Sequence, residues 1–275
     1  MAWLVAVALQ AVPWEGRDSA ELRQPLAQLH AAEPDYVKRL LTISKQFLGA
    51  PYKFSPLGEG VAPDLDPLFV TNEFDCLSLV EISMALASEP DVDRALQRLN
   101  GIRYFDGHAT FGDRKHLMES QWIPDNTRAG WLRDITKEVA GDVAEKVQKT
   151  VTPATWAKRK KSEDLAIPSE RVPNGTFTWS VVPLDKLNEV AAKIPNGALL
   201  FIVRTDYVSI PYRISHVGIV VQKKSGTFLR HAKDQGAHMV LDMPLGDVIK
   251  RHQEFVKWPV TGASLYLPQL AAPPR

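Results

Sequence analysis

The sequence predicts an α+β fold in which N-terminal helices pack on an antiparallel β-sheet, with helical and loop insertions. Apolar residues in the first hundred positions recur with helical spacing, whereas short apolar runs of strand character dominate after Pro195-Asn196-Gly197. Helices that precede the strands, instead of alternating with them, favour an antiparallel sheet. The chain has 275 residues, and we expect a single domain over 18–275.

Helices dominate the first hundred residues. Asp18 or Ser19 would cap the first helix, Gly49 follows the second, and Gly101 would end the fourth. The segment 51–72 is rich in proline and glycine, which predicts a long loop. The predicted helices are 18–31, 35–48, 76–88 and 91–100.

The middle of the chain lacks clear periodicity. Residues 101–135 mix aromatic, charged and polar side chains, and the segment of about 136–180 is expected to form an exposed excursion. Its basic run, 158–161, is typical of a solvated loop rather than of a binding patch. The predicted strands are 198–203, 214–221, 227–232 and 238–242, followed by candidates at 254–260 and 264–267.

Charge and composition exclude several classes of protein. A net charge of +1 gives no electrostatic argument for binding nucleic acid or an anionic membrane surface. The apolar run 1–12 is too short to span a bilayer as a helix, so we expect no integral membrane segment. Residues 1–17 resemble a signal segment without its basic start, which favours a periplasmic or extracellular protein; an ordinary N-terminal element is the alternative.

The only cysteine, Cys76, stands where a helix is predicted to begin. Asp75 is a good N-cap residue, so Cys76 would lie near unpaired backbone N–H groups and the positive end of the helix dipole. That environment favours the thiolate, which is the nucleophilic form; a small buried core residue is the alternative. A catalytic Cys76 is expected to be alkylated rapidly at neutral pH.

A cysteine nucleophile needs a base, and the base needs a third group to orient it. His216 lies within a predicted apolar strand and shares one strand face with Gly218, which leaves room for a pocket. A core histidine that binds a backbone carbonyl is the alternative interpretation. His216 is therefore the candidate base.

His231 lies on the following strand and is the candidate orienting group. A turn centred on Lys223-Lys224 would place the two histidines directly opposite, with Cβ atoms about 5 Å apart. A turn at Ser225-Gly226 would place them diagonally or farther apart, and the sequence leaves the register open.

Four motifs follow one another along the chain: Leu48-Gly49-Ala50-Pro51-Tyr52, Phe74-Asp75-Cys76, His216-Val217-Gly218-Ile219 and His231-Ala232. In this order they resemble the NlpC-type peptidoglycan peptidases, which are papain-like cysteine hydrolases. The resemblance implies a papain-like (NlpC-type) core with Cys76 as nucleophile, His216 as base and His231 as orienting residue. It also implies that Tyr52 lies beside the oxyanion site.

The segment 101–126 narrows the resemblance to a bacterial branch of that superfamily, the N-acetylmuramoyl-L-alanine amidase-like proteins. The long spacer between Tyr52 and Cys76 is also similar to that branch. Five residues of the segment are candidates for binding the acidic peptide stem or the sugar, with surface salt bridges and a core tryptophan as the alternative. They are Arg103, Arg114, His116, Trp122 and Asn126.

The resemblance implies a cysteine-dependent amide hydrolase of bacterial peptidoglycan that acts through a thioester. It would be an N-acetylmuramoyl-L-alanine amidase or a stem-peptide endopeptidase, with a muropeptide partner and no metal or other cofactor. A papain-like acyltransferase on another amide or lipid is one alternative, but such relatives often place the histidine ahead of the cysteine. A non-catalytic wall-binding module is another, against which the presence of Cys76, His216 and His231 counts.

Overall fold

The computed structural model describes residues 13–158, 167–254 and 256–271. Within these ranges the chain forms a mixed α+β fold with an antiparallel sheet, as the sequence predicts. The finer assignment to a papain-like core stays a prediction. The apolar run 1–12 and the basic residues 159–161 lie outside the described residues. No helix in the described ranges has the length and apolar character needed to cross a bilayer.

Four helices in the first hundred residues follow the predicted ones closely. Each begins after an aspartate whose side chain accepts a backbone N–H of the first turn, which is the usual N-cap contact. The fourth helix continues past Gly101, and Lys115 Nζ donates to the carbonyls of Gly101 and Ile102 near its end. The helices are α1 (Ser19–Ala32), α2 (Tyr36–Gln46), α3 (Cys76–Ser88) and α4 (Val92–Arg103).

The later α-helices have four to six residues each, apart from the last, which has ten. Glu254 ends that last helix, so the candidate strand at 254–260 is wrong. Leu245, Val248 and Ile249 are buried with helical spacing, a pattern that was available in the sequence. The later α-helices are α5 (Ile123–Arg128), α6 (Thr136–Ala140), α7 (Pro153–Ala157), α8 (Leu187–Val190) and α9 (Leu245–Glu254).

Eight strands of the described chain form one sheet in the order β2-β3-β8-β4-β5-β6-β7, with β1 also paired to β8. Neighbouring strands of this sheet are antiparallel. The segment 136–180, expected to be an exposed excursion, supplies β2 and most of β3 to one sheet edge. The strands are β1 (Leu132–Asp134), β2 (Glu145–Val151), β3 (Gly175–Pro183), β4 (Leu199–Arg204), β5 (Ile214–Lys223), β6 (Gly226–Lys233), β7 (Met239–Pro244) and β8 (Val260–Pro268).

The sheet separates two apolar clusters. Alternate residues of a strand point to opposite faces. Phe201 and Val217 accordingly join the cluster that contains α1 to α4, whereas Leu200 and Val220 join the cluster that contains α8 and α9. The first residue of α3 thereby comes to lie close to β5, while α9 packs on β6 and β7.

Candidate active site

A cavity of about 960 Å³ opens where the start of α3 meets β5 and β6. Its lining includes Tyr52, Cys76, His216 and His231, the four residues that the sequence predicts to be catalytic. They come from a loop, a helix start and two neighbouring strands. The fold therefore brings all four candidates to one cavity, although their chemical roles stay predictions.

Cys76 is partly exposed and is the first residue of α3. Burial raises the pKa of its thiol to about 12, and the Asp75 carboxylate adds to the rise. Backbone N–H groups of Val217, Cys76 and Leu77 stabilise the thiolate and oppose this rise in pKa. The resting group is a thiol at neutral pH, which differs from the thiolate expected from the helix start alone.

The two histidines form a hydrogen-bonded pair. His216 Nε2 lies 2.6 Å from His231 Nδ1, and the rings meet edge to face with centroids 4.9 Å apart. Lys223 at the end of β5 is paired with Gly226 at the start of β6, so the turn between these strands consists of Lys224 and Ser225. When that register is continued, His231 falls opposite Gly218, so the histidines are diagonal and not directly opposed.

Both histidines are neutral at physiological pH. Burial, with a further contribution from the neighbouring histidines and Arg204, lowers the pKa of His216 well below its usual value. Burial also lowers the pKa of His231 to about 4, and the Lys233 charge acts in the same direction. A neutral imidazole accepts a proton, so His216 is held in the form that a general base requires.

Tyr52 lies in the loop that follows α2, beside the start of β7. Its backbone N–H donates to the carbonyl of His238 at 2.9 Å, and Tyr52 also forms a bridge with Phe74. Burial raises the pKa of the Tyr52 hydroxyl, and the neighbouring Cys76 and Asp75 add to this rise. The phenol therefore keeps its proton and remains a hydrogen-bond donor beside the cysteine.

Three of the five predicted substrate-binding residues line the cavity, but their polar groups already have partners. Arg103 binds Glu81 at 2.7 Å, and Arg114 binds Glu59 at 2.6 Å. His116 Nε2 donates to the carbonyl of Phe111 at 2.8 Å, and burial lowers the pKa of His116 to about 4. Both guanidinium groups are neutralised by buried carboxylates, so substrate recognition by their charge is not supported.

Trp122 and Asn126 lie elsewhere. Both are 0% exposed, and neither lines the cavity. Trp122 Nε1 donates to Glu81 at 2.8 Å, and Asn126 Nδ2 donates to the carbonyl of Ile102 at 3.0 Å. These hydrogen bonds hold the segment after α4 against α3 and α4. The structure does not support direct contact of either side chain with a substrate.

Comparison with known proteins assigns this arrangement to a family. The model of the AmiA-like family, described as N-acetylmuramoyl-L-alanine amidase-like, matches residues 42–255. The chain belongs to this amidase-like family. The match spans the Tyr52, Cys76, His216 and His231 positions and most of the described fold. No curated protein sequence matches the chain.

Several solved structures share the fold of this amidase-like chain. A Legionella pneumophila protein, LPG0564, has a TM-score of 0.77 at 21% identity, covering 93% of this chain and 98% of its own. An N-acetylmuramoyl-L-alanine amidase from Bacteroides uniformis has a TM-score of 0.67 at 21% identity, covering 85% of this chain and 99% of its own. At this level of identity the likeness concerns the fold.

Sequence reasoning missed the cavity wall formed by β6 and α9. Lys233, Arg251 and His252 line the cavity beside His231. Lys233 was detectable, because it lies two residues after His231 on one strand and therefore shares its face. Arg251 and His252 lie on α9, which was not predicted although the spacing of its apolar residues could have revealed it. Burial lowers the pKa of His252 to about 4, with Arg204 and Arg251 acting in the same direction.

Proposed function

We propose that this member of the amidase-like family is a cysteine-dependent amide hydrolase of peptidoglycan fragments. The observation that carries the proposal is the single cavity in which a helix-start cysteine lies with a hydrogen-bonded histidine pair. The match to an N-acetylmuramoyl-L-alanine amidase-like family supports the choice of substrate. Cys76 is the proposed nucleophile, His216 the base and His231 the residue that orients it.

The proposed reaction starts from a neutral pair. His216 Nε2 is engaged with His231 Nδ1, which leaves His216 Nδ1 to take the proton of the Cys76 thiol. In this tautomer His216 donates from Nε2, and His231 carries its own proton on Nε2. As Cys76 Sγ attacks the amide carbon, the proton moves to His216, and the resulting imidazolium is stabilised by His231.

Two groups are proposed to bind the oxyanion. The backbone N–H of Cys76, in the first turn of α3, has no partner in its own helix. The Tyr52 hydroxyl keeps its proton and is the second donor. The intermediate then expels the amine, which takes the proton from His216, and a thioester remains on Cys76. Water activated by His216 hydrolyses this thioester and restores the thiol.

The family description and the Bacteroides uniformis relative favour one bond, the amide between the lactyl group of N-acetylmuramic acid and L-alanine. We propose that this bond is cleaved, in a papain-like (NlpC-type) catalytic core located in the cell envelope. Cleavage between the second and third stem residues would use the same groups and is the alternative specificity within this proposal.

Muropeptides incubated with purified protein and analysed by mass spectrometry test the proposal. We expect a free stem peptide that begins with L-alanine, and we expect its formation to fall by at least about a thousandfold in Cys76→Ala, since the nucleophile is lost. His216→Ala is expected to cause a comparable loss.

His108→Ala is the matched control for His216→Ala, because His108 is exposed and does not line the cavity. Its activity is expected to equal that of the wild type. A product that begins at the third stem residue would assign the endopeptidase specificity. Complete absence of a cysteine-dependent product from any muropeptide would overturn the proposed function.

A further inference from the structure

The cavity has two walls that differ in how their positive charges are neutralised. One wall is formed by the end of α4 and the segment after it. There Arg103 and Arg114 lie within 2.8 Å of buried or partly buried carboxylates, those of Glu81, Glu59 and Asp64. These cations are committed to buried ion pairs. A substrate carboxylate would have to displace a buried carboxylate partner there, which is costly.

The opposite wall, formed by β6 and α9, carries Lys233 and Arg251. Within the described residues, neither cation has a carboxylate within ion-pair distance; Arg251 Nη2 donates to Gln235 Oε1 at 2.7 Å. Asp234 and Glu254 also line this wall, but both are exposed and neither pairs with these two cations.

The electrostatic effect of this wall reaches the catalytic pair. Burial lowers the pKa of Lys233, and the nearby charge of Arg251 lowers it further. Lys233 is in turn the leading charged neighbour that lowers the pKa of His231. Two cations that repel each other across a cavity wall favour an anion between them, because it relieves the repulsion.

We propose that Lys233 and Arg251 form a carboxylate-binding subsite that selects amide substrates in which the second residue after the cleaved bond is acidic. This inference rests on the proposed function and names its substrate class, an acidic peptide stem. Lys233 and His231 are two residues apart on one strand face, a spacing of about 7 Å. Because Lys233 lines the same cavity as Cys76, a carboxylate bound by Lys233 would belong to a residue close to the amide that Cys76 attacks.

The test compares two probes, N-acetylmuramoyl-L-alanyl-D-glutamate and its diamide, in which both carboxylates become carboxamides. We expect the wild-type kcat/KM to favour the diacid by about tenfold or more, as a charge-assisted hydrogen bond is lost in the diamide. Lys233→Met and Arg251→Met are each expected to lower kcat/KM for the diacid by about tenfold and to change it for the diamide by less than about twofold.

Lys137→Met is the matched control, since Lys137 is exposed on α6, away from the cavity; it should alter neither probe. An equal loss on both probes in Lys233→Met, or no preference in the wild type, would overturn the subsite while leaving the proposed hydrolase intact.

If neither probe is hydrolysed, cleavage of the lactyl–alanine bond fails, and calorimetric binding to Cys76→Ser protein then decides the subsite separately. Tighter binding of the diacid than of the diamide, lost in the Lys233→Met form of that protein, supports the subsite. Equal affinity for the two probes overturns it.

Discussion

At the scale of single residues, Cys76 shows how opposing influences set the state of a nucleophile. The helix start and three backbone N–H groups favour the thiolate, whereas burial and the Asp75 carboxylate favour the thiol. The same Asp75 caps the helix, accepting the N–H groups of Leu77 and Ser78 through Oδ1. The capping group therefore works against ionisation of the residue that it positions.

Asp75→Asn separates these two effects. Asparagine keeps the capping oxygen, although it loses the acceptor for the Ser55 N–H, and it removes the negative charge next to Cys76. The pKa of the thiol is expected to fall by about one unit, so alkylation by iodoacetamide at pH 8 should be several-fold faster.

Asp35→Asn makes the same chemical change at the cap of α2, away from the cavity, and should leave the alkylation rate unchanged. If Asp75→Asn also leaves it unchanged, the Asp75 charge does not govern the thiol. The structure also predicts that alkylation of the wild type is slow at pH 7 and accelerates as the pH rises, contrary to the rapid reaction expected from the sequence.

At the scale of elements, the pairing of β5 with β6 determines how the two histidines meet. The turn between Lys223 and Gly226 sets the register, which makes His216 and His231 diagonal neighbours. Gly218 lies between them on the same face of β5. An added Cβ there would lie 2.7 Å from Leu229 Cγ and 2.9 Å from the carbonyl oxygen of Arg230.

Gly218→Ala is expected to destabilise the protein by about 1–3 kcal/mol, because the backbone of β6 has to shift to admit the methyl group. The same shift should lengthen the contact between His216 and His231 and lower kcat. Thermal unfolding and muropeptide hydrolysis measure the two effects.

Gly101→Ala provides the control, since a Cβ at this helical position meets no atom within 4 Å and alanine favours the helix. It is expected to be neutral or stabilising. Wild-type stability in Gly218→Ala would show that the strands have more room than the structure indicates.

At the scale of the whole molecule, Glu119 connects the segment after α4 to the sheet. Its carboxylate accepts the backbone N–H of Arg213 at 2.5 Å and that of Ile214 at 3.4 Å, at the start of the strand that carries His216. The side chain is buried, and burial raises the pKa of Glu119 from 4.5 to about 7.

This raised pKa makes stability depend on pH. The folded protein holds the Glu119 proton more tightly than the unfolded chain does. The contribution of this carboxyl to the free energy of unfolding is therefore complete below about pH 4.5 and is lost as the pH rises to about 7. The total loss is about 3 kcal/mol. Glu119→Gln cannot titrate and should lack this loss.

Urea unfolding of both proteins between pH 4.5 and pH 8 measures the difference in the free energy of unfolding. The comparison with Glu119→Gln isolates this carboxyl, because the buried histidines, whose pKa values are lowered, act in the opposite direction on the same pH range. A difference that is constant with pH would contradict the prediction.

The sequence by itself determined the features that depend on local patterns. The N-caps, the helical spacing of α1 to α4 and the apolar runs of β4, β5 and β6 act over a few residues, so they can be recognised without the fold. The ordered motifs around Tyr52, Cys76, His216 and His231 also indicated the family. Helix α9 could have been detected from the spacing of Leu245, Val248 and Ile249, but it falls between two strands along the chain and was not predicted.

The tertiary structure alone decided what depends on residues distant in the chain. Glu59, Glu81 and Asp64 neutralise Arg103 and Arg114, for which the sequence left both substrate binding and salt bridges open. Packing against the sheet likewise made Cys76 a thiol at rest. Desolvation and pairing of charges are set by whichever side chains long-range folding brings within a few ångströms, and spacing along the chain does not reveal them.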